Sequence, residues 1–227
     1  IYNNIKKTVI FLLTCNLGEV IAVSFTLIIG WEAPLIATQL LWINLITDSA
    51  PAIALGMDPG SPDVMNEKPR NPRESFFAGG AGSRVIAGGV LIGALTILAF
   101  WYGYFVHGFS PFNFATPTGT IEYARTMAFM VLVFCQLFYS LAVRNSIKSI
   151  FQVGIFSNKY LTAAIFIGIM LQLLVVYIPV MQHAFHLQIL DLRGCLVAIV
   201  LGLVPLTLNE IVKLIKRVSK GTETSRK

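Results

Sequence analysis

Six runs of about 20 apolar residues constrain this chain more than any other feature of its sequence. A helix of roughly 20 residues spans the hydrocarbon core of a bilayer, which is about 30 Å thick. The chain is 56% hydrophobic and only 12% charged, a composition outside the range of soluble domains. We therefore predict an all-α integral membrane protein in a lipid bilayer, with six transmembrane helices at residues 9–29, 35–55, 85–106, 124–143, 160–180 and 195–215.

The positions of the basic residues predict the orientation of these helices. Fifteen of the seventeen Lys and Arg residues lie before the first run, between the second and third, between the fourth and fifth, or at the end of the chain. Only Arg125 and Arg193 lie at the opposite ends of the runs. Because cytoplasmic loops retain basic residues, we expect both termini to be cytoplasmic. The net charge of +6 then reflects membrane topology, and no nucleic-acid partner is expected.

The spacing of the runs divides the chain into three parts. Residues 1–56 form a tightly turned helical hairpin, and residues 57–83 form a polar, proline-rich cytoplasmic loop. Residues 84–227 form a four-helix transmembrane subdomain with a basic cytoplasmic tail. Gly89 and Gly93 have the GxxxG spacing that allows two helices to pack closely. The chain lacks an initiator Met, so we expect a piece of a longer protein.

Two carboxylates lie where hydrocarbon is expected. Glu19 lies in the first run with Asn16 one turn before it, and Asp48 lies in the second run beside Asn44 and Thr47. Ionisable residues inside a span are costly, which makes them candidates for function. Since a short loop joins the two helices, the polar faces can meet at similar depth in the membrane.

The chemistry of these side chains favours a hard cation. All of them offer oxygen, the ligand that Ca²⁺ prefers, whereas the soft metals bind thiolates. The three cysteines form no CxxC pair and are interpreted as packing residues. Pro51 has no N–H to bond the carbonyl of Thr47, so we expect a helix break and a further free oxygen at the site.

Several longer motifs resemble one known family. The segments Ile1-Tyr-Asn-Asn-Ile-Lys6, Asn16-Leu-Gly-Glu19 and Leu41-Trp-Ile-Asn-Leu-Ile-Thr-Asp48 resemble the fifth and sixth transmembrane helices of P-type calcium ATPases. Asp63-Val-Met-Asn-Glu-Lys-Pro-Arg70 resembles the cytoplasmic loop that follows, and Leu208-Asn-Glu-Ile-Val-Lys213 resembles the last helix. The chain is thus similar to the C-terminal transmembrane half of such a pump.

The resemblance implies a set of ligands for the transported Ca²⁺. It assigns this role to Asn16, Glu19, Asn44, Thr47 and Asp48, and it places Gln136 where pumps that carry two ions have Glu. Gln lends a carbonyl oxygen but no charge, which argues against a second tightly held ion. Asn44 favours the calcium branch, because sodium/potassium pumps have Asp at the matching place.

The resemblance also implies what the rest of the protein contains. In the family, the actuator, nucleotide-binding and phosphorylation domains precede this segment and use ATP and Mg²⁺. The chain itself contains no catalytic residue and no nucleotide- or cofactor-binding motif. We therefore expect it to be the cation-binding part of a pump that exports Ca²⁺, in a bacterial plasma membrane by analogy. The alternatives are a pump for Mn²⁺, Na⁺, K⁺ or H⁺, an ATP-independent cation channel or carrier, and a membrane scaffold that binds a partner.

Overall fold

Helices make up the whole of the described structure apart from short connections. A computed structural model describes residues 2–59, 77, 80–112, 116–145 and 148–224, and no strand occurs among them. In chain order the helices are α1 (Tyr2–Ile28), α2 (Ala37–Trp42), a π-helix (Ile43–Thr47), α3 (Ser49–Gly56), α4 (Ala81–Val106), α5 (Thr118–Val143), α6 (Ile150–Val153), a 3₁₀ turn (Ile155–Ser157), α7 (Lys159–Tyr177), α8 (Pro179–Phe185) and α9 (Leu192–Thr224).

Five of these helices are long and apolar enough to cross a membrane. They are α1, α4, α5, α7 and the Leu192–Arg217 part of α9. They correspond to the first and to the third through sixth of the apolar runs, so the all-helical membrane architecture is confirmed. The predicted loop 57–83 lies mostly outside the described residues, apart from 57–59, 77 and 80–83.

The second apolar run is divided into α2, the π-helix and α3. The N–H of Asp48 donates to the carbonyl of Ile43, five residues back, at 2.9 Å. Pro51 cannot donate to the carbonyl of Thr47, and the next donor, Ala52, bonds Asp48 at 3.0 Å instead. The regular ladder is therefore interrupted directly before Pro51, and π-type segments of this kind often mark functional sites.

Helix α5 is the centre around which the other helices pack. Of its most apolar window, 89% is buried inside the protein, against 17% for α9. It contacts α1, α3, α4, α7 and α9. Its fully buried side chains include Phe129, Met130 and Leu137. A polar side chain on α5 therefore faces other helices and not lipid.

Small residues let α4 approach its neighbours. A Cβ at Gly89 would lie 2.7 Å from the side chain of Leu17, and one at Gly93 would lie 2.8 Å from that of Ile21, both on α1. The GxxxG spacing is thus used in the α1–α4 contact. At Gly103 a Cβ would lie 2.4 Å from the Cα of Ala124 on α5, so the two backbones are in contact there.

The start of α9 is fixed to α5 by Asp191. One carboxylate oxygen accepts from the Tyr123 hydroxyl at 2.7 Å and from the N–H of Gly194 at 3.0 Å. The second bond caps the first turn of the helix. The Tyr123 hydrogen bond holds the pKa of the Asp191 carboxyl below its usual value, because both bonds stabilise the ionised form.

The close approach at Gly103 predicts a stability effect. Gly103→Ala should lower the free energy of unfolding by about 1–3 kcal/mol, because the added methyl group meets backbone that cannot rotate away. Gly82→Ala in the same helix is the control, since its Cβ would make only ordinary contacts at 3.7 Å. Thermal unfolding of the protein in detergent measures both. Equal melting temperatures for the two variants would contradict this account of the α4–α5 contact.

Candidate cation site

Glu19 joins three helical elements through its carboxylate. The residue lies on α1 and is 6% exposed. One oxygen accepts from the amide of Asn44 on the π-helix at 2.8 Å, and the other accepts from the amide of Gln136 on α5 at 2.9 Å. Three of the residues predicted from the sequence therefore lie in direct contact, although they come from distant parts of the chain.

Asp48 lies next to this cluster without a hydrogen-bonding partner. It is 1% exposed, and neither of its carboxylate oxygens makes a hydrogen bond within the described part of the chain. Glu19 is near enough for the two charges to repel each other. An ionised carboxylate in such surroundings is very unfavourable unless a proton or a cation accompanies it.

Further oxygen atoms border the two carboxylates. The Thr47 hydroxyl is buried and donates to the carbonyl of Ile43 at 3.0 Å, which leaves its lone pairs free to accept or to coordinate. The side-chain oxygen of Gln136 is buried and has no partner among the described residues. The arrangement thus contains more oxygen lone pairs than the described N–H and O–H donors satisfy.

Asn16 is exposed, unlike Glu19, which lies one helical turn later. Asn16 makes no hydrogen bond to any described residue. Asn44 is also exposed, although its amide bonds both Glu19 and the carbonyl of Leu40, the latter at 3.0 Å. The site is therefore closed toward α5 and open where these two amides lie.

The cysteines lie in or near the helix core and form no separate cluster of metal ligands among the described residues. Cys15 and Cys135 are fully buried and free, and Cys15 lies near both carboxylates of the site. No three His, Cys, Asp or Glu side chains converge anywhere in the ranges that the structure covers. The candidate site itself consists of two carboxylates supplemented by neutral oxygens.

Sequence reasoning missed a second buried ionic cluster at the far end of α3. Asp58 follows α3 and pairs with Lys7 of α1 at 2.8 Å and with Arg144 at 2.9 Å. From the sequence, Asp58 is assigned to the polar loop at 57–83. Lys7 and Arg144 serve there only to predict the orientation of the helices. A carboxylate two residues beyond the end of a span, with unassigned basic residues at the same membrane face, is the signal that could have found it.

Comparison with known proteins gives one family. The model of the family described as "Cation transporting ATPase, C-terminus" matches residues 32–215. This range includes all of the second apolar run and all of the four that follow.

Individual relatives carry related names. Calcium-transporting ATPase 1 of Bacillus cereus is 44% identical over 222 residues, which cover 96% of this chain and 25% of the relative. The calcium-transporting ATPase of Bacillus subtilis is 42% identical over 186 residues, 82% of this chain and 20% of the relative. The human calcium-transporting ATPase type 2C member 1 is 33% identical over 227 residues, 100% of this chain and 23% of the relative. The chain thus spans about a quarter of the length of these relatives or less.

Two buried glutamines allow a matched test of the site geometry. Gln136→Met should lower the free energy of unfolding by about 1.5–3 kcal/mol, because Glu19 loses a donor and stays buried. Gln172→Met is the control: Gln172 is also fully buried, its oxygen has no described partner, and its amide reaches only the sulfur of Met130 at 3.6 Å. Its substitution should be neutral or stabilising. Chemical unfolding in detergent without added cation measures both, and a loss of similar size in the two variants would contradict the geometry.

Proposed function

The chain belongs to the cation-transporting ATPases, whose C-terminal part it represents, and on that premise we propose that it forms the ion-binding membrane part of a P-type pump that exports Ca²⁺ from the cytoplasm. In this proposal the complete protein couples ATP hydrolysis to transport, and the transported ion binds between α1, the broken second span and α5. Two of the relatives named above are bacterial, which supports a bacterial plasma membrane as the location.

The observation that carries the proposal is the unpartnered carboxylate of Asp48 beside Glu19. Both Asp48 oxygens are buried without a hydrogen bond to any residue that the structure describes, and the neighbouring charge on Glu19 makes the pair still less favourable. A divalent cation between the two side chains would neutralise both charges and satisfy their oxygens at once. The same pair would take up protons after the ion has left.

The two amides that bond Glu19 would change their orientation when a cation binds. Asn44 and Gln136 now present N–H groups to the carboxylate. A cation needs oxygens, and rotation of each amide by about 180° exchanges its nitrogen for its oxygen without moving a helix. In the proposal these amides therefore hold Glu19 when the ion is absent and coordinate the ion when it is present, together with Thr47 and Asp48.

The exposure of Asn16 and Asn44 indicates that another helix covers this side of the site. Ca²⁺ takes six to eight oxygens, and Asn16 and Asn44 lie exposed on helices at membrane depth. Polar side chains in spans usually face protein or a water-filled cavity and not lipid. We therefore propose that a helix from the remainder of the pump covers this side. The actuator, nucleotide-binding and phosphorylation domains, with ATP and Mg²⁺, would belong to that remainder.

The topology that accompanies this function has six crossings. The α2, π-helix and α3 segments together would form the second crossing, since residues 37–56 supply the required length and the break lies at the ion site. Both termini and the loop at 57–83 would then be cytoplasmic. Residues 1–56 would carry most of the ligands, and residues 84–227 would form the supporting subdomain that adds Gln136.

Asp48→Asn tests the proposed ligand set. The neutral amide keeps the shape and loses the charge that a divalent cation needs, so the Ca²⁺ concentration for half-maximal phosphorylation of the complete pump by ATP should rise about 100-fold. Asp191→Asn is the control, because that carboxylate is exposed and lies at the start of α9, away from the site. Unchanged calcium activation in the Asp48 variant would refute the assignment. Measuring Mn²⁺ activation in parallel decides whether that ion uses the same ligands.

The neutral side chain at position 136 predicts the number of ions carried. The wild-type pump should bind one Ca²⁺ per phosphorylation site, since two carboxylates balance the charge of one divalent ion. Gln136→Glu adds a third carboxylate beside Glu19 and should allow a second ion to bind. Equilibrium binding of radioactive Ca²⁺ to the purified pump gives the ratio, with Gln136→Met as the uncharged control. Two ions in the wild type, or one in Gln136→Glu, would show that residue 136 does not set the number.

A further inference from the structure

The end of α3 that leads into residue 57 is held by a group of polar side chains that the ion site does not use. We call this group the α3 clamp, and it consists of Asn4, Lys7, Asp58, Arg144 and Asn158. Its members come from α1, from the residues that follow α3 and α5, and from the residue that caps α7. The clamp therefore connects four parts of the fold.

Asp58 is the centre of the clamp. One of its carboxylate oxygens pairs with the ammonium group of Lys7 at 2.8 Å. The other accepts from two nitrogens of Arg144, at 3.1 and 2.9 Å, and from the amide of Asn158 at 3.0 Å. The side chains of Asp58 and Arg144 are only 4% and 3% exposed. Solvent screening, which makes surface ion pairs weak, is therefore largely absent here.

Arg144 extends the clamp toward α7. Two further N–H groups donate to the carbonyl of Gly154 at 2.9 Å and to the hydroxyl of Ser157 at 2.7 Å. Each of the three guanidinium nitrogens, Nε, Nη1 and Nη2, thus donates at least one hydrogen bond. A planar group with this many partners holds its neighbours at defined distances.

The backbone of α3 is also held, by Asn4 and Asn158 of the clamp and by Thr8. Three of its carbonyl groups accept from α1 and from the cap of α7: Ala52 from Thr8 at 3.1 Å, Ala54 from Asn158 at 2.9 Å, and Gly56 from Asn4 at 3.1 Å. The amide of Asn4 also bonds the carbonyl of Asp58 at 2.7 Å. The end of α3 is thereby joined to α1 and α7 through both its backbone and its charge.

The opposite end of the same short helix carries the ion site. Asp48 is the residue that precedes α3, and eight residues, about 12 Å of helix, separate it from the clamped end. A two-turn helix is rigid on this scale, so its placement at one end determines its placement at the other. The break before Pro51 removes the support that a continuous helix would supply from α2.

From this geometry we infer that Asp58 is a positioning residue: through Lys7, Arg144 and Asn158 it fixes α3 so that Asp48 stays opposite Glu19. Asp58 touches no proposed ligand of the ion. Its effect on ion binding would be indirect, because a displacement of about 1 Å at a ligand is enough to weaken a site. Removal of its charge would leave Arg144 buried without a counter-charge, which is a strongly unfavourable state.

Two measurements on the complete pump test this inference. Hydrogen exchange followed by mass spectrometry reports opening of residues 49–58, and Asp58→Asn should speed exchange there about tenfold. The Ca²⁺ concentration for half-maximal phosphorylation should rise about tenfold in the same variant. The double variant Asp58→Asn/Arg144→Gln removes both buried charges and should restore most of both values. Recovery in the double variant would identify the unpaired buried charge of Arg144 as the cause of both changes.

The chain offers a control with similar chemistry on the same side of the structure. Glu210 on α9 pairs with Lys213 at 2.7 Å, and its other hydrogen bonds among the described residues are to Ser149 and Ile150 and not to α3, so Glu210→Gln should leave exchange at 49–58 unchanged. If Asp58→Asn does not accumulate in the membrane, Lys7→Gln carries the same test with smaller expected changes, because Arg144 still pairs with Asp58.

The possible outcomes separate this inference from the proposed function on which its second measurement rests. Unchanged exchange in Asp58→Asn would overturn the clamp, and faster exchange with unchanged calcium activation would overturn its role in positioning Asp48. Failure of the double variant to recover would overturn the role of the charge. A wild-type pump that does not respond to Ca²⁺ would refute the proposed function, while the exchange measurement would still decide whether the clamp holds α3.

Discussion

The hydrogen bonds to the carboxylate of Glu19 are the interaction on which this structure depends most. A buried carboxylate must be satisfied by its surroundings, and in a membrane no water is available in the hydrocarbon core to do so. Asn44 and Gln136 supply the donors, one from the interrupted second span and one from the central helix α5. Glu19 thereby draws together three elements whose apolar surfaces alone would not specify one arrangement, since apolar side chains pack equally well against lipid.

The surrounding fold makes this meeting possible. Helix α5 is buried along nearly its whole length, so Gln136 faces other helices. The glycines of α4 allow close contact with α1 and α5, and this contact holds α1, with Glu19, in place from the other side. The interrupted span differs in kind from these regular helices. It carries Thr47 and Asp48 at its irregular segment, and its end is held by the ionic cluster around Asp58. Broken helices at membrane depth are tolerated where they are buried in protein, and here Asp48 and Asp58, which flank α3, are both buried.

Much of the fold follows from the sequence because the bilayer allows few solutions. Five of the six apolar runs form single long helices, and their boundaries differ from expectation mainly where polar residues extend a helix beyond the apolar core, as at Thr118 and Ala81. In the fifth run the long helix α7 ends at Tyr177, three residues before the predicted end. Ile178 has an extended backbone conformation, and Pro179 begins the short helix α8. The second run shows the limit of reasoning from composition. Pro51 indicated an interruption of this helix. The π-helix over Ile43–Thr47 forms because the Asp48 N–H donates to the carbonyl of Ile43, five residues back. The spacing of apolar residues does not predict which carbonyl accepts this bond.

The sequence by itself determined which residues are costly in a membrane, and hence that Glu19, Asp48, Asn44 and Gln136 need partners. That result holds for any packing of the helices, because the cost of burying a charge or an amide depends on the side chain and on the solvent. Only the tertiary structure decided which partners they have. Glu19 and Gln136 are separated by most of the chain, Asn16 points away from the cluster that its spacing suggested, and Asp58 pairs with Lys7 and Arg144 from two other helices. These pairings depend on how the helices are rotated and how closely they pack, and many side chains at once set those quantities, so no local pattern in the sequence reveals them.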